Sequence, residues 1–265
     1  MTAHIHPTAV IDPNASIGEG SHVGPYAVIG PHVVMGKNNT VGPHVVLEGH
    51  TRLGDYNQIY QFASVGAAPQ DLKYKGEAST LEIGSHNIIR EFTTLQPGTS
   101  GGGMRTVVGD KNLFMANSHV GHDCKVGSGN IVANSVALAG HVTVGNFVTL
   151  GGLSAVHQFV RLGDYSFLGG GSMVAHDVPP YCIVEGNRAV LAGLNIVGLE
   201  RRGFSAEDVE RLRQIYRKLF FEAGAYRTRL AELKPELQSF AAGAVLLQFL
   251  ESSERGLCAP RRKKK

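Results

Sequence analysis

The chain has 265 residues, enough for one or two domains with a sizeable apolar core, and its net charge of +3 is too small to point to a polyanionic partner. Its three cysteines, Cys124, Cys182 and Cys258, are odd in number and scattered, which argues against a disulfide framework and against paired metal-ligand spacing. No N-terminal stretch joins basic residues to an apolar run, and no apolar run approaches the ~18 residues of a membrane span, so we expect a cytoplasmic protein with no transmembrane segment.

From the N-terminus, Ile5, Ile11, Ile17, Val23, Ile29, Met35, Val41, Leu47, Leu53, Ile59 and Val65 stand six apart. A period of six fits neither the 3.6 of a helix nor the alternation of a long strand, so it belongs to a larger repeating unit. If each hexad supplies one short strand and one corner, three hexads close a triangular coil, with the apolar residue inside and Gly, Asn or Asp at the corners. Successive coils then stack as parallel strands roughly 4.8 Å apart. At Gly66 the register is lost, and the polar segment near 67–80 is predicted to leave the solenoid as a loop. Ile83, Ile89 and Leu95 resume the rhythm. The stretch TSGGGMRTV breaks it again, predicting a Gly-rich excursion near 99–107. From Val108 to Pro179 an apolar residue returns every six positions, which gives about ten coils in all.

The expected architecture is therefore mainly β: a parallel β-helix over 1–190, followed by an α-helical C-terminal domain over 191–265. Ser205, with Asp208 three residues on, reads as an N-cap opening a helix, and two or three further helices fit Ala225 to Ser253. Arg261, Arg262, Lys263, Lys264 and Lys265 form a basic tail, expected to be solvated.

A scaffold does not give a function, so the site must come from side chains. Residues one coil apart should lie above one another, which makes His122, Gly140, Gln158 and His176 one column. His119, His141 and His157 are close neighbours of that column, and so many imidazoles on one edge exceed what a solvated face needs. Two chemistries fit. Three histidines can hold a catalytic zinc with an open position, as in proteins resembling gamma-type carbonic anhydrases. Alternatively, an imidazole followed by a carboxylate, here His122 and Asp123, can act as a general base. The close spacing of His119 and His122 favours the metal-free reading.

The stretches IYQFASVG (59–66), QDLKYKGE (70–77), HVGHDC (119–124), LAGHVTV (138–144), GGLSAVHQF (151–159), QFVRLGDY (158–165), DVPPY (177–181), EGN (185–187) and NIVGLERRGFS (195–205) resemble the acyl-ACP:UDP-N-acetylglucosamine O-acyltransferases that begin lipid A synthesis in Gram-negative bacteria. The resemblance covers nearly the whole chain. It implies a left-handed parallel β-helix, an exception to the usual right-handed crossover, assembled as a homotrimer with sites between subunits. It also implies passage of an R-3-hydroxyacyl chain from the phosphopantetheine thioester of acyl carrier protein to the 3-hydroxyl of UDP-N-acetylglucosamine, with no metal and no other cofactor. In that reading His122 is the general base, Asp123 orients it, and the Gly140 N–H stabilises the oxyanion. His119, His141, His157 and Gln158 line the acceptor and thioester cleft. Gln70, Asp71 and Lys73 match contacts to the sugar and acyl region, and Asn195, Arg201 and Arg202 match contacts to the acyl donor and nucleotide phosphates. Gly170 matches the position that limits acyl-chain depth.

The chain departs from the family pattern at Gln96 in LQPGT, at Val197 in NIVGL and at Arg188 after EGN. These departures leave open a 3-amino analogue of the nucleotide sugar as acceptor. Acyl carrier proteins are acidic, so a basic patch among Arg211, Arg213, Arg217, Lys218, Arg227 and Arg229 would speed encounter. Nucleic acid is not expected, because no aromatic interleaving or recognised motif accompanies these residues.

Overall fold

The computed structural model describes residues 2–261. Each hexad forms a strand of only a few residues, and parallel pairing joins every strand to the one a coil later: His4–Ile5 to His22–Val23, Val10–Ile11 to Val28–Ile29, Ser16–Ile17 to Val34–Met35. Three faces result. The first is an 11-stranded sheet from His4–Ile5 to Val190–Leu194, the second a 9-stranded sheet from Val10–Ile11 to Met173–Val174, and the third an 8-stranded sheet from Ser16–Ile17 to Arg161–Leu162. This is the mainly β parallel helix expected from the period of six.

The hexad residues fill the prism. Val23, Ile29, Leu47, Ile59, Leu95, Leu138 and Leu168 are at most 3% exposed, and Phe114 is fully buried among them. Each such side chain contributes roughly 2 kcal/mol of hydrophobic stabilisation. Ile5, in the first coil, is 48% exposed because no coil lies beneath it. Most corners turn through one non-glycine residue with positive φ, among them His44, Phe62, Asp123 and His141. That conformation is disfavoured for L-residues, and stacking between coils offsets the cost: the rings of Tyr26, His44, Phe62 and Phe92 follow one another at 5.1, 5.3 and 5.2 Å.

Asparagine does related work inside the prism. The side-chain oxygens of Asn39, Asn57, Asn87, Asn112 and Asn130 each accept the N–H of the residue one coil on, at 2.7 to 2.9 Å. Asn87 Nδ2 also donates to Asn57 Oδ1 (3.1 Å) and Gly109 O (3.0 Å). Truncating it leaves buried partners unsatisfied on both sides, so Asn87→Ala is expected to lower stability by about 3 kcal/mol; urea denaturation of the purified variant measures it.

Both predicted loops are present, over 66–79 and 96–104. They leave the prism at the same corner, between the second and third faces. Partner residues that stand 18 apart elsewhere are 30 apart across the first loop and 25 apart across the second. The first excursion preserves the six-residue phase, and the second breaks it. The strand restarts at Arg105, earlier than the 99–107 expectation, because Arg105–Val108 pairs in full with Thr80–Ile83.

The boundary expected between 190 and 191 falls inside a strand. Val190–Leu194 pairs antiparallel with Cys182–Glu185 and extends the first face. Four helices follow: α1 (Ile196–Arg201), α2 (Ala206–Phe221), α3 (Tyr226–Gln238) and α4 (Ala241–Glu251). Ser205 caps α2 as predicted, its Oγ accepting the Asp208 N–H at 3.0 Å. Leu212, Ile215 and Leu219 bury the inner face of α2. The chain then returns to the prism, bridging Asp177 to Leu257 and Leu191 to Pro260. Arg261 pairs with Glu185 at 2.6 Å, and the rest of the basic tail lies outside the described residues. The three cysteines are free and buried. Among the described residues, no helix is long and apolar enough to cross a membrane.

Candidate active site

The corner between the second and third faces carries the histidine column. His119–Val120 and Lys125–Val126 flank the turn Gly121 to Cys124, and the next coil places Gly140 above His122 and His141 above Asp123. His122 Nδ1 lies 2.8 Å from Asp123 Oδ2, with the two side chains 10% and 0% exposed. A carboxylate accepts, so Nδ1 carries the proton, and Nε2, which has no hydrogen-bond partner among the described residues, keeps its lone pair. This is the protonation pattern of a general base.

The Gly-rich second loop fixes that carboxylate. The Thr99 N–H donates to Asp123 Oδ1 and Oδ2 at 3.0 and 3.1 Å, and the Thr99 hydroxyl donates to Oδ2 at 2.7 Å. The Asp123 N–H donates to Thr106 Oγ1 at 2.8 Å. Gly102 passes so close that a Cβ there would lie 2.0 Å from the carboxylate carbon, which explains the glycine at that position. Sequence reasoning did not single out Thr99, Thr106 or Gly102; the run of three glycines was the only signal.

Gly140 meets the other side of the imidazole. A Cβ at this position would stand 2.5 Å from both His122 Nε2 and Cε1, so the ring lies directly over the glycine. The Gly140 N–H donates to no group among the described residues. The fold does not need this N–H: the same place in earlier hexads is taken by Pro7, Pro13, Pro25, Pro31 and Pro43. An unused N–H beside an imidazole with a free lone pair is suited to receive a developing oxyanion.

His141 meets His122 edge-on at 5.0 Å and stacks on Phe159 at 4.3 Å. His119 Nδ1 is 2.7 Å from Thr94 Oγ1. Burial holds His141 below the ordinary histidine value of 6.5, with His122 acting in the same direction and the Asp123 and Asp71 carboxylates opposing. Burial, then His122, lowers His119 likewise. The folded chain thus favours both imidazoles neutral. Their contribution to stability is complete above 6.5 and is lost as pH falls from there through the lowered folded values. The urea midpoint should therefore drop between about pH 7.5 and 5.5, and drop less in a His119→Gln, His141→Gln double variant.

The first loop closes one side. The Gln70 N–H donates to the buried Gln96 Oε1 at 3.2 Å, and the Lys73 N–H donates to Asp71 Oδ1 at 2.9 Å. Glu77 links the two loops, accepting the Ser100 N–H at 2.8 Å; that bond and one from the Lys75 N–H lower its pKa to about 2. Gln96 therefore acts as a loop anchor. His157 and Gln158 lie exposed on the next coil.

The remaining residues of interest sit elsewhere. Gly170 lies at the corner between the first and second faces. Asn195 caps α1 and donates from Nδ2 to Tyr165 O at 2.9 Å, and Arg202 lies 4.6 Å over the Phe147 ring, both at the corner between the third and first faces. Arg201 is exposed at the end of α1. One chain therefore gathers His119, His122, Asp123, Gly140, His141, His157, Gln158 and the first loop at one edge, and holds Gly170, Asn195, Arg201 and Arg202 at the other two.

The ligand atoms of His122, Asp123 and His141 lie within 4.8 Å of one another and are the one set among the described residues that could converge on a cation. Asp123 Oδ2 already accepts from His122 and Thr99. Such an arrangement suits a carboxylate that orients an imidazole better than one offered to a metal.

Residues 177–258 match the family described as UDP N-acetylglucosamine O-acyltransferase, domain 2, and residues 2–37 and 105–140 match the bacterial transferase hexapeptide repeat. Over 255 residues the chain is 53% identical to the acyl-[acyl-carrier-protein]–UDP-N-acetylglucosamine O-acyltransferase of Myxococcus xanthus, covering 96% of this chain and 99% of the relative. The corresponding protein of Burkholderia orbicola is 48% identical, with coverage of 96% and 98%. The crystal structure of the UDP-N-acetylglucosamine O-acyltransferase of Moraxella catarrhalis superposes with a TM-score of 0.93 at 42% identity, over 96% of this chain and 99% of that one. Relatedness at this level, spanning prism, loops and helices together, makes the chain a member of the acyl-[acyl-carrier-protein]–UDP-N-acetylglucosamine O-acyltransferase family.

Proposed function

We propose that this chain moves an R-3-hydroxyacyl group from the phosphopantetheine thioester of acyl carrier protein to the 3-hydroxyl of UDP-N-acetylglucosamine, the first step of lipid A synthesis. The observation that carries the mechanism is the pairing of His122, held as the Nδ1–H tautomer by Asp123, with the unused N–H of Gly140. His122 Nε2 takes the proton of the sugar hydroxyl as the oxygen attacks the thioester carbonyl. The carbonyl oxygen becomes the oxyanion at the Gly140 N–H, and collapse expels the phosphopantetheine thiolate, which takes up the proton from His122. No acyl-enzyme and no metal are required, and His119, His141 and His157 line the cleft.

Because Gly170, Asn195, Arg201 and Arg202 occupy other edges, the reading includes a homotrimer in which neighbours bring these edges to His122. The two arginines would then meet phosphate oxygens, and Gly170 would leave the acyl groove deep. Of the basic residues proposed to meet acyl carrier protein, Arg229 binds the carbonyls of Leu219 and Glu222, Arg211 lies over Phe240, Lys218 pairs with Glu236 and Arg213 with Glu210, which leaves Arg217 on α2 and Arg227 on α3, both exposed, as the better candidates.

The test is acyl transfer by the purified protein from 3-hydroxyacyl carrier proteins of graded length to UDP-N-acetylglucosamine and to its 3-amino analogue, alongside mass determination by light scattering. Transfer to the hydroxyl sugar by a trimer supports the reading. Transfer to the amine sugar alone replaces the acceptor, and activity that follows added zinc favours a metal-centred reading.

A further inference from the structure

The C-terminal segment does more than close the prism. After α4, Arg161 Nη1 donates to Ser252 O at 2.7 Å, and the Ser253 hydroxyl donates to Asp177 Oδ2 at 2.8 Å. The Asp177 N–H donates to Gly256 O, and the Cys258 N–H donates to Asp177 O, both at 2.9 Å. Asp177 is fully buried, two coils above His141 in the same column, and its other oxygen accepts the Arg161 N–H at 2.8 Å. This clasp pins residues 252–258 against the histidine edge, and one side chain in it reaches the cleft. Arg255 Nε donates to Ala175 O at 2.9 Å, and its Nη2 lies 2.8 Å from His157 Nδ1.

A guanidinium has donors only. A nitrogen of His157 that faces it at 2.8 Å must therefore offer a lone pair, which makes the imidazole neutral and moves its single proton to Nε2. A second contact argues for the opposite tautomer, since His157 Nδ1 is also 3.2 Å from Gln158 O, a carbonyl that calls for Nδ1–H. The arginine contact is shorter and charge-assisted, so it governs. The two-point hold on Ala175 O and Nδ1 also fixes the ring plane. We propose that Arg255 is a positioning residue for His157: it locks the imidazole as the Nε2–H tautomer, so that His157 presents a hydrogen-bond donor to the bound substrate. His122 and His157 then play opposite parts, because Asp123 fixes the first as Nδ1–H with a basic Nε2, whereas Arg255 fixes the second as a neutral donor.

The proposal rests on the acyltransfer reading for its functional consequence, but the tautomer can be read without it. Long-range 1H–15N spectra of histidine-labelled protein separate unprotonated from protonated Nδ1, with His157→Gln assigning the signal. The expected result is an unprotonated Nδ1 in the native protein and loss of that state in Arg255→Met. A protonated Nδ1 in the native protein would overturn the proposal whatever the enzyme's activity. In kinetics, Arg255→Met should raise the KM for the nucleotide sugar about 10-fold or more with a smaller change in kcat. The same change in a His157→Ala background should add less than about 2-fold, as expected of residues acting as a unit. Arg255→Lys, which keeps one donor but not the two-point hold, should fall between native and Met and serves as the comparison if the Met variant unfolds. Additive effects of the two substitutions would refute action through His157. A native protein that transfers no acyl group, with Nδ1 unprotonated, would instead refute the substrate reading and leave the lock standing.

Discussion

Replacing His122 with alanine is expected to lower kcat/KM for acyl transfer by about 10³-fold, the usual contribution of a positioned general base. The size follows from the geometry. His122 is the one imidazole at this edge whose Nδ1 is held by a buried carboxylate while Nε2 lies beside an unused N–H. His119 and His141 cannot replace it, since His119 Nδ1 is engaged by Thr94 and His141 stacks flat on Phe159. The loss should appear in kcat, with the KM for the nucleotide sugar little changed, because the proton moves only as the hydroxyl attacks. Asp123→Asn should lose nearly as much, since an amide group facing the Thr99 N–H and hydroxyl cannot accept from all of its present donors. The variant's melting temperature, compared with the native value, separates a chemical defect from a structural one. Retention of more than a tenth of the native rate by His122→Ala would remove the base assignment.

Gly140→Ala is expected to cost about 10²- to 10³-fold in kcat, and for two reasons that can be told apart. The added methyl would sit 2.5 Å from the His122 ring, so the imidazole must rotate away from its bond to Asp123. The backbone N–H would remain, but the space in front of it would be filled, and removal of one such donor alone costs about this much. If crowding of His122 dominates, the Gly140→Ala, His122→Ala double variant should be no slower than His122→Ala alone. If blockage of the oxyanion dominates, the double variant should be slower still. Steady-state kinetics on the three proteins decide between them.

The frame was legible because it is written in buried side chains. A residue every six positions is a statement about which atoms leave water, and the prism places Val23 through Val174 inside as that spacing requires. The histidine column was legible for the same reason: stacking fixes what lies above what. Counting in coils also shows that Gly170 is out of phase with His122 and therefore on another corner, a consequence that the resemblance to a family obscured by treating both as one pocket. The contribution of the loops was not legible. Thr99 reaches Asp123 only because a segment without periodicity folds back across the corner, and nothing in TSGGGMRTV says which carboxylate it will meet. Arg255 was hidden for a related reason. It follows α4 by a few residues and touches His157 only after the chain has returned to the prism, so no local pattern marks it.

Of the three corners, only the one that bears His122 is opened by insertions, and the strands resume their pairing after each: Val65 leads to Thr80 and Leu95 to Arg105 without disturbing the sheets on either side. A turn that returns to the same partner tolerates added length at small entropic cost. The lining of this edge can thus be rewritten residue by residue while every rung of the frame stays in place. Durability and selectivity reside in separate passages of the chain, and each can change without consulting the other.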